Sequence, residues 1–407
     1  MPLRSSHLLA SLAGVVTLAG CATFTAPVPG QTPGAGMRAQ SGESEYCIAF
    51  RDPLARQAAL TRHGLRPLRA VPALELVVVR LPNLQAARGA LTRDAAVRWL
   101  EPVGQVTLEE SAPVPAPPAL VGPSAGDDQR PAQWALDKLA VETAWQRTSG
   151  RKETLVAVVD TGIDDRHPDL TGRVRKGRDF VNGDDDAFDD NFHGTHCAGI
   201  LAANRGNGGV VGVAPEVTLL PVKVLSAQGS GTYDQVAAGL VYAADQGASI
   251  ISVSLGTYTP SQVLLEAVRH AQRKGALVVA GMGNQGSDKP FYPAAWPDVL
   301  AVGATTVKDE RARYSNTGSH LALVAPGSDI LSTIPDRQYA RVSGTSMATP
   351  HVAGVAALLK SAEPRWTAAN LRQRLLDSAV DLGAPGMDPE TGRGRLSAAR
   401  ALLPSSR

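Results

Sequence analysis

Five short, nearly continuous apolar runs shape the second half of the chain: Leu155 to Val159, Leu219 to Val224, Ile250 to Ser254, Leu277 to Ala280 and Val299 to Val302. A strand with one wet face alternates apolar and polar residues, so runs of this kind suit strands buried on both faces. Helical patterns at Asp234 to Gln246 and Ser261 to Lys274 lie between them. Strands alternating with helices predict an α/β fold, a parallel β-sheet with helices on both faces. In such sheets the chemistry gathers at the carboxyl ends of the strands.

Ahead of this region the pattern differs. Tyr46 to Phe50 reads as a strand, Leu54 to His63 as a helix, Leu74 to Leu81 as a strand and Leu84 to Leu91 as a helix, with Val106 to Leu108 as a last strand. This order predicts a small α+β domain over residues 46–110. The Ala/Pro-rich stretch Ser111 to Pro123 reads as an extended, exposed linker, residues 111–130. The α/β domain then occupies 131–403. A length of 407 residues, 43% of them hydrophobic, suffices for two or three domains with a sizeable core. The net charge of +2 gives no reason to expect a nucleic-acid partner.

The first residues have the character of an export signal. Arg4 and His7 precede the apolar run Leu8 to Leu18, followed by Leu18-Ala19-Gly20-Cys21. That tetrad resembles the lipobox of bacterial lipoproteins, which implies a signal over 1–21, lipidation of Cys21 and a tether over 22–45. The alternative is an ordinary signal cut after Ala26. A diacyl anchor would hold the protein on a membrane surface without spanning it. With Cys21 lipidated, only Cys47 and Cys197 remain, in different domains, so no disulfide framework is expected.

Three motifs carry the chemistry. Asp160 ends a buried strand in Asp160-Thr161-Gly162-Ile163-Asp164, where a strand-end carboxylate also serves as a simple turn cap. His193 opens His193-Gly194-Thr195-His196-Cys197-Ala198-Gly199-Ile200, in which His193, His196 and Cys197 also suit zinc. Ser346 lies in Gly344-Thr345-Ser346-Met347-Ala348-Thr349-Pro350-His351, where a glycine turn runs into an apolar helix. A serine hydroxyl is a poor nucleophile without a base.

Together, in the order Asp, His, Ser, these motifs resemble those of the subtilisin-like serine proteases, the subtilases. The resemblance covers about Gln133 to Arg400. It implies that Ser346 attacks the scissile carbonyl, His193 carries the proton, and Asp160 orients and stabilises the imidazole. Asn284, in Gly281-Met282-Gly283-Asn284-Gln285-Gly286, falls at the family's oxyanion asparagine. Losing such a donor costs about 10² to 10³ in turnover, a figure taken from subtilisin itself. Gly229-Ser230-Gly231 and Ser254-Leu255-Gly256 match segments that pair with an extended peptide as added strands. Phe291 falls at the floor of the main specificity pocket and should make it shallow. Phe192 stands where relatives usually carry Gly or Ser and is expected to crowd the histidine loop. His196, Cys197 and His351 read as packing residues.

The resemblance further implies a structural calcium site at Asp179, Asn182, Asp184 and Asp186, with a solvated acidic loop as the alternative. A second site would use Asp169 and the loop Asn204 to Gly209. Residues 46–110 resemble an inhibitor-like propeptide, so the expected partners are protein or peptide substrates, this propeptide and a membrane surface, around a monomeric enzyme. Cleavage is expected in the Ser111 to Asp128 linker, with release of the enzyme from its anchor. The rival functions are a catalytically silent surface lipoprotein that uses the fold as a binding scaffold, and a metalloprotein built on His193, His196 and Cys197.

Overall fold

A seven-stranded, wholly parallel sheet runs in the order Leu323–Pro326, Leu300–Thr305, Leu277–Gly281, Ile250–Val253, Leu155–Asp160, Thr218–Lys223 and Arg178–Asp179. The computed structural model describes residues 43–82, 85–109, 114–115 and 129–403. The signal, Cys21, the tether up to residue 42 and most of the linker lie outside the described residues, whereas Glu43 to Glu45, expected in the tether, begin a strand paired with Arg80 to Pro82. The five expected strands are all present, and only Thr218 among their residues is not fully buried. That burial explains their unbroken apolar character. The edge strands Arg178–Asp179 and Leu323–Pro326 were not expected, the first being only two residues long and without a pattern to read.

The chain enters this sheet at its middle, through Leu155–Asp160. It lays down the edge strand Arg178–Asp179, fills the gap with Thr218–Lys223, and then crosses to Ile250–Val253 on the other side. The end of Leu155–Asp160 is therefore a switch point, where diverging connections leave a crevice. The helices His193–Ala202 and Thr345–Ala362 pack together over one face, Tyr233–Asp245 and Gln262–Arg273 over the other. Their starts are capped locally: Thr232 and Gln235 form a reciprocal capping box, and Ser261 accepts from Leu264 N.

Residues 43–102 form a second, antiparallel sheet ordered Pro67–Val71, Leu76–Pro82, Glu43–Phe50, Val97–Pro102, with helices Pro53–Arg62 and Gln85–Arg93. Alternate residues serve two cores. Tyr46, Ile48, Phe50, Val77, Val79 and Leu81 pack with Ala59 and Leu91 from the helices. Cys47, Leu76 and Val78 point the other way and join the main core. Both faces are covered, so Tyr46 to Phe50 and Leu76 to Leu81 lack the alternation of a half-wet strand.

Three expectations need correction here. Pro67–Val71 and Val97–Pro102 are strands that the reading missed, their Arg, Glu and Pro residues masking the pattern. Val106 to Leu108 does not complete this sheet. Gln105–Thr107 pairs instead with Ser230–Thr232 of the larger domain, antiparallel. Gly104 allows the departure: a Cβ there would lie 2.3 Å from the Tyr233 ring, and Tyr233 N donates to Gly104 O. Finally, the linker is not bare throughout, since Val114–Pro115 pairs with Ala340 and Arg341.

Charged groups join the small sheet to the larger domain. Arg69 Nε donates to Asp234 Oδ2 at 2.6 Å. The Glu101 carboxylate accepts from Ser261 Oγ, Gln262 N and Val263 N at 2.6 to 3.1 Å. It thereby caps a helix of the other domain with a negative charge, where the helix dipole favours one. Arg98 grips Glu266 with both terminal guanidinium nitrogens at 2.8 Å.

Candidate active site

Asp160 and His193 meet at the switch point because two glycines let the backbones close in. A Cβ on Gly194 would sit 2.1 Å from Gly162 O, and one on Gly162 would sit 2.6 Å from Ala187 O. Gly162 also holds a φ of 115°, which side chains rarely tolerate. His193 Nδ1 lies 2.7 Å from Asp160 Oδ1, and both residues are fully buried. Thr161 N donates to the same oxygen at 2.7 Å.

Asp189, which the sequence reading missed, holds the histidine loop. Its buried carboxylate accepts from Thr161 Oγ1, Thr195 Oγ1, Thr195 N, Asn191 N and Phe192 N, all at 2.6 to 3.1 Å. Burial pushes its acidity toward the neutral form, and these donors oppose that. Thr161 Oγ1 accepts in turn from Gly194 N at 2.9 Å. The signal was present: an Asp-Asp-Asn run just before a helix suits helix entry. Phe192 sits in this grip with φ 156°, its ring edge-on to His193 at 6.3 Å between centroids. The surrounding bonds hold a conformation that costs a non-glycine residue about 1–3 kcal/mol.

Ser346 is the second residue of the helix Thr345–Ala362, which contains Pro350. Proline has no N–H to return to the carbonyl four residues earlier, which is that of Ser346. That oxygen accepts from Ser254 Oγ at 3.0 Å and Cys197 Sγ at 3.5 Å instead. Ser346 Oγ donates to Ser254 O at 3.1 Å. Cys197 lies one turn beyond His193, so one carbonyl ties together the serine helix, the histidine helix and the Ser254 segment. Asn284 Oδ1 accepts from Thr345 N at 2.8 Å, which leaves Nδ2 as the end able to donate into the cleft.

A groove crosses these groups, and the chain lies in it. Thr107, Val106 and Gln105 pair with Ser230, Gly231 and Thr232, Leu108 N donates to Gly229 O, and Thr107 bridges to Gly256. The strand is sandwiched between the two segments named from sequence. Thr107, Leu108, Glu109, Ser254, Leu255 and Phe291 line the cleft beside Ser346. That cover explains why Ser346 is only 4% exposed.

The zinc cluster is not assembled. His196 turns away to Ile330 O and Ala340 O, each at 3.1 Å, and burial pushes its pKa down to about 3. Asp160, His193 and Cys197 do place donor atoms within 4.8 Å of one another, but these are the residues just described. His351 donates within its own helix to Met347 O. Among the described residues, Cys47 and Cys197 are buried thiols that form no disulfide.

At the acidic loop, Asp179 Oδ1 accepts from Val181 N and Asn182 N, and its Oδ2 from Asn182 Nδ2. Asp184 and Asp186 each accept from the backbone two residues on. Lys176 and Arg178 bind the intervening Asp185 instead. The second calcium expectation fares worse. Asn204 Oδ1 accepts from Arg173 Nε at 2.8 Å, so a guanidinium already engages its ligand oxygen, while Asp169 Oδ2 accepts from Val210 N and Tyr339 Oη.

Residues 151–394 match the model of the subtilase family. The chain belongs to the subtilase family. As a subtilase it is a serine-type endopeptidase. It is 44% identical to thermitase of Thermoactinomyces vulgaris over 271 residues, 66% of this chain and 95% of that one. It is 48% identical to a thermophilic serine proteinase of Bacillus sp. (strain AK1) over 230 residues, 56% of this chain and 57% of the relative. Its structure is similar to that of fervidolysin from Fervidobacterium pennivorans, described as a keratinolytic enzyme related to subtilisin, with a TM-score of 0.79 and 27% identity. That likeness covers 91% of this subtilase and 63% of the other chain.

Proposed function

We propose that this subtilase hydrolyses peptide bonds through Ser346, His193 and Asp160, with Asn284 stabilising the oxyanion. The buried 2.7 Å pair of His193 and Asp160, docked through Cys197 on the residue of Ser346, carries this reading. His193 Nδ1 donates to Asp160, so the opposite ring nitrogen, Nε2, is the one to take the Ser346 proton as Oγ attacks. Asp160 stabilises the imidazolium that results. Asn284 Nδ2 and the Ser346 backbone N–H meet the oxygen that becomes negative. His193 then gives its proton to the leaving amine, and water repeats the sequence on the acyl-enzyme. Segments 229–231 and 254–256 bind substrate through its main chain, which favours sequence tolerance at the residues preceding the one whose carbonyl is attacked.

A fluorophosphonate tests the core of this reading. It should label Ser346 stoichiometrically in the processed enzyme, and His193→Ala should not be labelled. A folded wild-type protein that takes no label would favour the silent scaffold, which no feature of the site otherwise supports.

The small N-terminal domain acts as an inhibitor-like propeptide, a reading supported by residues 105–109 lying in the groove as a substrate would. Export and lipidation at Cys21 complete the proposal, placing the precursor at the cell envelope with release after cleavage. Among the described residues no helix is long and apolar enough to cross a membrane.

For calcium, Asp179, Asn182, Asp184 and Asp186 offer hard oxygens, and the nearby cations are drawn off by Asp185, so the donor chemistry fits. The role would be structural. A chelator is expected to lower the melting temperature of wild type by about 5 °C or more. It should have no such effect on the Asp184→Ala, Asp186→Ala double variant. Identical melting of wild type with and without chelator would remove calcium from the proposal.

A further inference from the structure

Glu109 follows the strand in the groove, and the pocket beside Ser346 is furnished for a carboxylate. Glu109 Oε2 accepts from Asn284 N at 3.2 Å and from Tyr258 Oη at 3.5 Å, and Oε1 accepts from Gln285 Nε2 at 3.0 Å. The Tyr258 hydroxyl is not free to turn. It accepts from Asn316 Nδ2 at 2.9 Å, which directs its single hydrogen outward to the carboxylate.

Asn316 is buried and fixes the rest of the rim. Its Oδ1 accepts from Gln285 N and Ser287 N, and its Nδ2 also donates to Met282 O. One side chain thus positions both the hydroxyl and the backbone of the residue whose amide reaches Glu109. The floor is closed. The Phe291 ring lies so near that a Cβ on Gly256 or Gly283 would come within 2.4 or 3.0 Å of it, and the Tyr258 ring stands 4.9 Å away. The pocket is ringed with donors and floored by an aromatic ring.

We propose that this subtilase selects glutamate at the residue whose carbonyl Ser346 attacks, with Gln285 and Tyr258 as the determinants, and that Glu109 is its first such substrate. The inference rests on the endopeptidase reading above. Ser346 Oγ bonds to the Glu109 carbonyl carbon, the bond from that carbon to the next nitrogen breaks, and the departing amine takes the proton that His193 removed from the serine. Water then cleaves the ester, leaving Glu109 with a terminal carboxylate and Ser346 with its hydrogen. The first cut falls just ahead of the 111–128 stretch that composition suggested.

The test uses processed wild type and p-nitroanilides of Val-Thr-Leu-Xaa, copying residues 106–108, with Xaa as Glu, Gln, Ala or Phe. kcat/KM for Glu should exceed that for Gln about tenfold and that for Phe about a hundredfold, since a carboxylate gains charge-assisted bonds that neutral groups do not. Gln285→Glu should reverse the Glu-to-Gln order, and Tyr258→Phe should lower the Glu-to-Ala ratio several-fold. The released N-terminal fragment should end at Glu109 by mass. Phe or Ala cleaved as well as Glu would overturn the assignment, as would a Glu-to-Gln ratio untouched by Gln285→Glu. If no peptide is cleaved and Ser346 takes no fluorophosphonate, the endopeptidase reading fails and this assignment falls with it. Labelling of Ser346 with preference for another residue would overturn the assignment alone.

Discussion

Ser346→Ala, expressed beside wild type, is expected to accumulate as the uncut chain while wild type yields a separate N-terminal fragment. Removing the serine of subtilisin lowers turnover by about 10⁶, and a loss of that size here would stop self-processing on any practical timescale. The fold should survive. The Ser346 carbonyl, and not its hydroxyl, receives the bonds from Ser254 and Cys197, and both remain in the alanine variant. Intact mass of the two purified proteins decides the matter. Equal processing of both would assign the cut to a host protease and leave the small domain without its proposed tie to catalysis.

Asp160→Asn should lower kcat by about 10⁴ with the protein still folded, the size measured for this change in other triads. Asp160 Oδ1 accepts from two donors at once, His193 Nδ1 and Thr161 N. If the new amide turns its NH₂ toward His193, donor faces donor and the wrong tautomer is selected. If its oxygen stays in place, the geometry persists but the charge that stabilises the imidazolium is gone. In a site this buried, water cannot replace that charge. The comparison is kcat on one peptide substrate, with thermal melts of both proteins alongside. A loss below about tenfold would show that Asp160 is a turn cap and nothing more.

The parts of this protein that were legible in sequence share one physical property: they are forced by burial or by local backbone demands. The five central strands are apolar because both faces are covered, and that pattern predicts the sheet. Asp160, His193 and Ser346 stand beside glycines that only close approach or a turn requires. The strands Pro67–Val71 and Val97–Pro102 were hidden because their charged side chains serve contacts with the other domain, as Arg69 and Arg98 do. Partners distant in sequence left no local trace. Glu109 meets Asn284, Gln285 and Tyr258 only after folding. The same limit let Val106 to Leu108 pass for the last strand of its own sheet, when its hydrogen bonds go to another.

The strand Gln105–Thr107 has a consequence that concerns concentration more than contact. While the chain is whole, groove and segment belong to one molecule, and the segment meets the groove at an effective concentration of about millimolar. Blockade is then the same in any dilution. Once the bond after Glu109 is cut, the same contacts become those of two molecules, and dilution acts on them. An enzyme crowded on a membrane would remain blocked by its severed partner, whereas one that has diffused into bulk fluid would lose it. Departure from the surface would itself be the step that turns the protease on.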